Sequence, residues 1–175
     1  MENTTTPAVT PSSVGIRYGV LLGIVSIIFS LLLFMTNSDQ SPLRWAGLLI
    51  SVAAIWLAHG YFKKHNGGFM SFGQGLTIGL VMSVVSGVLS SIFSYIYMTF
   101  IDPSYMERLM EKTRTEMEAK GTMSDEQIDQ AMSMMNKFSG GPMTLVFGIL
   151  GALIIGLLIS LIVSAITKHN RPEFE

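Results

Sequence analysis

The sequence contains no cysteine. That removes disulfides, thiolate nucleophiles, iron–sulfur clusters and cysteine-based zinc sites. Charge is scarce too. Only 13% of the 175 residues are Asp, Glu, Lys or Arg, about half of the roughly 25% usual in a soluble domain. So few charges could hardly cover a water-soluble globule. There is no basic excess either, since 11 Lys and Arg face 12 acids. A nucleic-acid binder needs such an excess to neutralise phosphates. What is present is apolar: 49% hydrophobic residues and a mean hydropathy of +0.49. These figures also exclude a disordered chain, a coiled coil and a disulfide scaffold, and they point to an integral membrane protein.

Residues 1–15 are rich in Thr, Pro and Ser and are expected to form a flexible polar tail. Four apolar stretches follow, over residues 16–35, 45–62, 76–101 and 143–166. Each approaches or exceeds the ~20 residues that cross roughly 30 Å of hydrocarbon. Backbone polar groups in lipid must pair internally, so each stretch is expected to be an α-helix. The central parts of these stretches contain no Asp, Glu, Lys or Arg. The first is too long for the apolar part of a signal peptide and is followed by Thr36-Asn37-Ser38-Asp39, so it is expected to be retained. Tyr18, Trp45, Tyr61, Tyr95 and Tyr97 lie near span ends, where amphipathic rings are favoured. The second link holds Asn66-Gly67-Gly68, a turn signal.

The third link, residues 102–142, is polar and acid-rich. Asp102-Pro103 reads as an N-cap with Pro at the first helical position. Tyr105, Met106, Leu109, Met110, Thr113 and Met117 then recur at helical spacing, and Gly121 stops that helix. Ser124 and Gln127 form a capping box for a second helix, with Met123 and Ile128 as its hydrophobic staple. Its apolar stripe is Ile128, Ala131, Met132, Met135 and Phe138, and Ser139-Gly140-Gly141-Pro142 ends it. The expected fold is therefore all-α: four transmembrane helices with an amphipathic helical hairpin between the third and fourth. The organisation is a tail (1–15), spans one to three (16–101), the hairpin (102–142), span four (143–167) and a polar C-terminal tail (168–175).

Orientation follows the Lys and Arg beside the spans. The end that carries the N-terminus holds Arg17, Lys63, Lys64, Lys168 and Arg171. The other holds Arg44 with Arg108, Lys112, Arg114, Lys120 and Lys137. The hairpin's basic residues sit among eight acids and have local partners such as Arg108 with Glu111 and Glu116 with Lys120. Discounting them puts both termini in the cytoplasm and the hairpin on the opposite side of the membrane.

Three features are candidates for function. The first is a ladder of small residues at every fourth position: Gly15, Gly19 and Gly23; Gly75, Gly79, Ser83 and Gly87, continued by Ser91; and Gly148, Ala152 and Gly156, continued by Ser160 and Ser164. Residues four apart share a helical face, and small residues let membrane helices approach closely. The face serves packing inside one bundle, a homo-oligomer, or a pore. The second is methionine, with seven of the 13 in the hairpin. A Met-rich face either packs the two hairpin helices together or docks a partner protein or the bilayer surface. Met106, Leu109, Met110, Met117, Ile128, Met132, Met135 and Phe138 would form it. Thioethers also suit Cu(I). However, Met134 of the Met132-x-Met134-Met135 group points away from the other two in a helix. The third is histidine. His59, His65 and His169 read as solvated interfacial residues, since nothing in their spacing demands a metal.

Absences weigh against catalysis and coupled transport. No ionisable residue sits at a span's midplane, where proton relays need one. No span is broken by an internal Pro. There is no P-loop, dinucleotide fingerprint or haem motif, and no calcium loop. Neither an enzyme nor any cofactor is expected.

The stretch Asn66-Gly67-Gly68-Phe69-Met70-Ser71-Phe72-Gly73-Gln74-Gly75 resembles the entry to the third span in a bacterial family called domain of unknown function 4199, typical of Bacteroidota. Ile101-Asp102-Pro103, the Met/Glu-rich segment 105–120 and Met123-Ser124-Asp125-Glu126-Gln127-Ile128 resemble it as well. The resemblance covers nearly the whole chain after the tail. It implies a small four-span membrane protein; the family has no established activity or known catalytic residues, so no site is carried over. The functional expectation is a non-enzymatic membrane component that acts through the hairpin or the small-residue faces. The alternative is a small channel or transporter subunit working as an oligomer.

Overall fold

A computed structural model describes residues 9–39, 41–138 and 142–171. Most of the expected N-terminal tail, the Ser139-Gly140-Gly141 stop and the last four residues lie outside the described set. The chain is all-helical: α1 (Pro11–Met35), α2 (Ala46–His65), α3 (Phe72–Ile96), α4 (Tyr105–Lys120), α5 (Asp125–Phe138) and α6 (Met143–Thr167). Among the described residues, four segments are long and apolar enough to cross a bilayer: Pro11–Met35, Pro42–His65, Phe72–Ile101 and Met143–Thr167. The chain is a multi-pass membrane protein.

Local chemistry explains the boundaries, including those that differ from expectation. α1 starts five residues before residue 16, so the polar tail is shorter than its pattern suggested. Thr10 Oγ1 accepts from the Ser13 amide at 3.2 Å, and Ser13 Oγ accepts from the Thr10 amide at 3.2 Å. Pro11 supplies the preset φ of the first helical position. After α1, Asn37 takes φ +51, and a 3₁₀ turn at Pro42–Trp45, capped by Ser41, leads into α2. Between α2 and α3 the chain needs left-handed backbone at Gly67 (φ +66) and Gly68 (φ +87), which only glycine adopts without strain. α3 begins four residues before residue 76 because Ser71 and Gln74 form a reciprocal cap of 2.9 and 3.2 Å. It ends in a π-helical turn, Tyr97–Ile101.

The chain divides into two compact units, one made of residues up to Ser90 together with those from Ile149 onward, the other Ser91–Gly148. In the first, Val14, Leu22, Ile55, Ala58, Phe62, Met70, Ile78, Met82 and Val163 form one core. Its exposure pattern is inverted relative to a water-soluble bundle. Ser160 is 0% exposed while Ile162 on the same helix is 63% exposed. Leu21, Ile24, Ile28, Leu57, Ile154 and Ile166 also face outward. Hydrocarbon is as apolar as leucine, so nothing drives large side chains inward there, and close packing of small ones decides the interior. Residues 168–171 are not a free tail. His169 and Met70 exchange backbone hydrogen bonds of 2.8 Å each way, which clips the chain after α6 to the loop before α3.

In the second unit α4 starts at Tyr105, two residues later than the Asp102-Pro103 pattern suggested. The Asp102 carboxylate is occupied by Arg108 and the Ser104 hydroxyl, and its backbone carbonyl accepts from the Tyr105 amide at 3.1 Å. Gly121 ends α4 with φ +60. Ser124 and Gln127 cap α5 reciprocally, at 3.0 and 3.4 Å. Ile128 is buried, whereas Met123, its expected staple partner, is exposed. Tyr97, placed at an interface by its sequence position, is buried against Phe93 and Tyr105.

Candidate functional site

The small-residue ladders meet partners within the chain. A methyl group added at Gly15 would lie 2.7 Å from Val81 Cβ, one at Gly19 2.8 Å from Val85 Cβ, and one at Gly23 2.7 Å from Leu89 Cδ1. α1 therefore receives three side chains of α3 in a row of glycine notches. The opposite arrangement joins α3 to α6. Gly75 faces Ser164, Gly79 faces Ser160, Gly87 faces Ala152, and Gly156 faces Ser83. In the second unit Gly148 faces Ser91. Every ladder glycine is thus in contact with another helix of the same chain. Gly60 and Gly151 have nothing within 4 Å of such a methyl. Gly60→Ala and Gly151→Ala are expected to leave stability at or up to about 1 kcal/mol above wild type, by lowering the entropy of the unfolded chain. Unfolding titrations in mixed micelles would read this.

A polar seam runs through the α3–α6 contact. Ser83, Ser160, Ser164 and Thr167 are buried there. Ser83 Oγ donates to the Gly79 carbonyl at 2.8 Å, the usual i−4 bond of a membrane serine. Among the described residues the Ser160 and Ser164 hydroxyls have no hydrogen-bond partner. They lie against the Cα atoms of Gly79 and Gly75, where weak Cα–H···O contacts are the available compensation.

His59 is at one end of this seam. It is fully buried, which corrects the reading of a solvated interfacial residue. Nδ1 lies 2.8 Å from Thr167 Oγ1, and Nε2 lies 3.0 Å from the Gly75 carbonyl. A carbonyl only accepts, so Nε2 carries the hydrogen. The ring therefore ties α2 to both α3 and α6. Position along the chain placed His59 near a membrane edge, but its helical face decided its surroundings. It shares that face with Ile55, Ala58 and Phe62, all buried, while Leu49, Trp56 and Leu57 face out. The other two histidines go elsewhere: His65 stacks on Tyr61 at 4.2 Å, and His169 on Phe69 at 5.3 Å. Among the described residues no three His, Asp or Glu side chains converge on a metal position.

In the second unit the stripe singled out for docking is largely turned inward. Met106, Leu109, Met110, Met117, Met132 and Met135 are half-buried and Ile128 is buried. Arg114 joins the two helices, reaching Glu118 at 2.9 Å and Asp129 of α5 at 2.8 Å. Met134 stands outside at 63% exposure, so the thioethers of Met132, Met134 and Met135 do not share a face. Phe138 is exposed and meets Phe147 edge-on at 5.5 Å. The open surface lies along the other side of α5. There Asp129, Gln130, Ser133, Met134, Lys137 and Phe138 line a shallow groove of about 630 Å³. Of the stripe, only Phe138 belongs to it.

The Arg108 hydrogen bond holds the Asp102 carboxyl below its ordinary 3.8, helped by Ser104 and the Tyr105 amide. The stabilisation this carries is complete above pH 3.8 and lost as pH falls below that value through the depressed one. Amide exchange in the first turn of α4 is expected to quicken below pH 3.8 and to lose that dependence in Asp102→Asn.

The family described as Protein of unknown function (DUF4199) matches residues 17–169, which span all four apolar segments and both connecting helices. No curated protein and no solved structure matches the chain.

Proposed function

Because the chain belongs to the DUF4199 family, whose description assigns no activity, we propose from its geometry a non-enzymatic component of a bacterial inner membrane. It serves as an interaction or assembly element whose working surface is the α4–α5 insertion. The observation that carries this reading is that the ladder glycines are filled from within the chain. The outward face of α5, with Met134, Phe138, Asp129 and Lys137, is left open. An envelope protein is the partner proposed for that face, and the exhaustion of the small-residue faces weighs against a homo-oligomer built through them. Both termini lie in the cytoplasm in this reading, with the insertion in the periplasm. Support comes from the ion pairs of Arg108 and Arg114 within the insertion, which discount its charges in the positive-inside balance.

The test is a substitution on the open face, Met134→Glu. Membrane insertion and thermal stability are expected to stay as in wild type while partners captured by in-cell cross-linking are lost. An unchanged cross-link pattern, also in a chain deleted for residues 104–140, would remove the reading. The transport alternative draws on the buried hydroxyls of α3 and α6. Absence of flux of ions and small solutes in reconstituted vesicles would dismiss it.

A further inference from the structure

The end of the first unit that holds the start of α1 and the end of α2 collects cations and, among the described residues, no carboxylates. Arg17, Lys63, Lys64, Lys168 and Arg171 are there, and the one described carboxylate of this unit, Asp39, lies in the link beyond the far end of α1. Three of the five have local reasons to be present. Lys63 Nζ donates to the Thr167 carbonyl at the end of α6. Lys168 follows that end, and Arg171 lies over the Phe69 ring. The negative end of a helix dipole favours such positions.

Arg17 is not at a helix C-terminus; it sits in the second turn of α1. Its guanidinium donates to the Tyr61 hydroxyl at 3.0 Å and lies over the Tyr61 ring at 5.1 Å. Tyr61 is itself braced by Tyr18 and His65. Aromatic contact and one hydrogen bond fix the plane of the fork and, among the described residues, leave four of its five N–H groups for other acceptors. Lys64, exposed, follows Tyr61 by three residues on the adjoining part of α2's surface. From Arg17 toward the hydrocarbon, α1 presents Val20, Leu21, Ile24 and Ile28, all exposed, at the i+3, i+4, i+7 and i+11 positions.

We propose that Arg17, oriented by Tyr61 and assisted by Lys64, binds the phosphodiester of an anionic phospholipid whose acyl chain lies along the apolar face of α1. A planar fork matches two phosphate oxygens. Among the described residues the site has no carboxylate to receive the ammonium of a zwitterionic headgroup, so a net negative lipid is selected. The apolar strip below it distinguishes a lipid from free phosphate.

The experiment uses the full chain in phosphatidylcholine nanodiscs, with phosphatidylglycerol introduced stepwise and the melting temperature and bound lipid measured. A saturable rise in Tm with phosphatidylglycerol is expected, with none from inorganic phosphate at the same concentration. Apparent affinity should fall about tenfold or more in Arg17→Gln and several-fold in Lys64→Gln, while Lys112→Gln in α4 keeps it. Should Arg17→Gln fail to fold in phosphatidylcholine, Lys64→Gln and Tyr61→Phe decide the matter through the same titration. An equal rise in wild type and variants would overturn the proposal. So would a full effect from inorganic phosphate alone, or an equal preference for phosphatidylcholine.

Discussion

Gly79→Ala is expected to destabilise the membrane-embedded unit by about 2 kcal/mol, and Ser160→Gly introduced beside it to restore most of that loss. The added methyl would collide with the Ser160 side chain, while the Ser160 Cα lies 3.5 Å away. An overfilled site costs about 1–3 kcal/mol because neighbours must leave their rotamers. Removing the serine side chain turns the collision into ordinary contact. The coupling between the two substitutions should therefore exceed about 1 kcal/mol and be of opposite sign to the Gly79→Ala effect. Gly19→Ala offers no such rescue by a single side chain, because its methyl would also lie 3.1 Å from the Met82 carbonyl oxygen and Cα. Denaturant titrations of the two singles and the double in micelles measure the cycle. If Gly79→Ala behaves like Gly60→Ala, the α3–α6 packing described here is wrong.

His59→Ala is expected to cost about 3–5 kcal/mol, the largest effect of any single substitution proposed here. The side chain is wholly enclosed, so truncation leaves a cavity as well as two lost hydrogen bonds. His59→Leu keeps most of the volume and loses only the bonds, so about 1–3 kcal/mol should remain. Thr167→Val loses one of the two, about 1 kcal/mol, since the single hydroxyl hydrogen is shared between His59 Nδ1 and the Val163 carbonyl at 2.7 Å. The order Ala, Leu, Val separates a buried tie from a solvated residue. Three effects within about 0.5 kcal/mol of zero, the range for surface substitutions, would return His59 to the interface.

The spans were legible because hydrocarbon thickness imposes a length and a composition that few other segments satisfy. The caps were legible in principle from short local patterns. Ser124-x-x-Gln127 was read correctly, whereas Thr10-Pro11-x-Ser13 and Ser71-x-x-Gln74 were not, and both moved a helix start outward. The ladders showed which faces would pack but not against what. α3 offers glycines to α6 and Val81, Val85 and Leu89 to α1, and nothing local in the sequence assigns those partners. His59 was misread for a similar reason. Its depth along the chain is a one-dimensional fact, and its burial depends on which face of α2 points inward. The outward Leu49, Trp56 and Leu57 carried that signal. In α4 and α5 the apolar stripe suits either self-packing or docking, and two amphipathic helices joined by a tight turn cover much of each other's stripe, leaving Met134 and its neighbours outside.

The four-span topology is tested most directly by the sides on which two cysteines are labelled. The native chain has none, so each probe is unique. Thr122→Cys, exposed between α4 and α5, spares the Ser124 cap, and Asn170→Cys, exposed after α6, spares the His169 clip. An even number of spans, with one of them between the two sites, requires the probes to report opposite sides of the membrane. A membrane-impermeant maleimide applied to intact cells should label Thr122→Cys, and should label Asn170→Cys only after lysis. The reverse pattern would keep the four spans and turn the orientation over. Labelling of both under the same condition would contradict the topology on which the whole account stands.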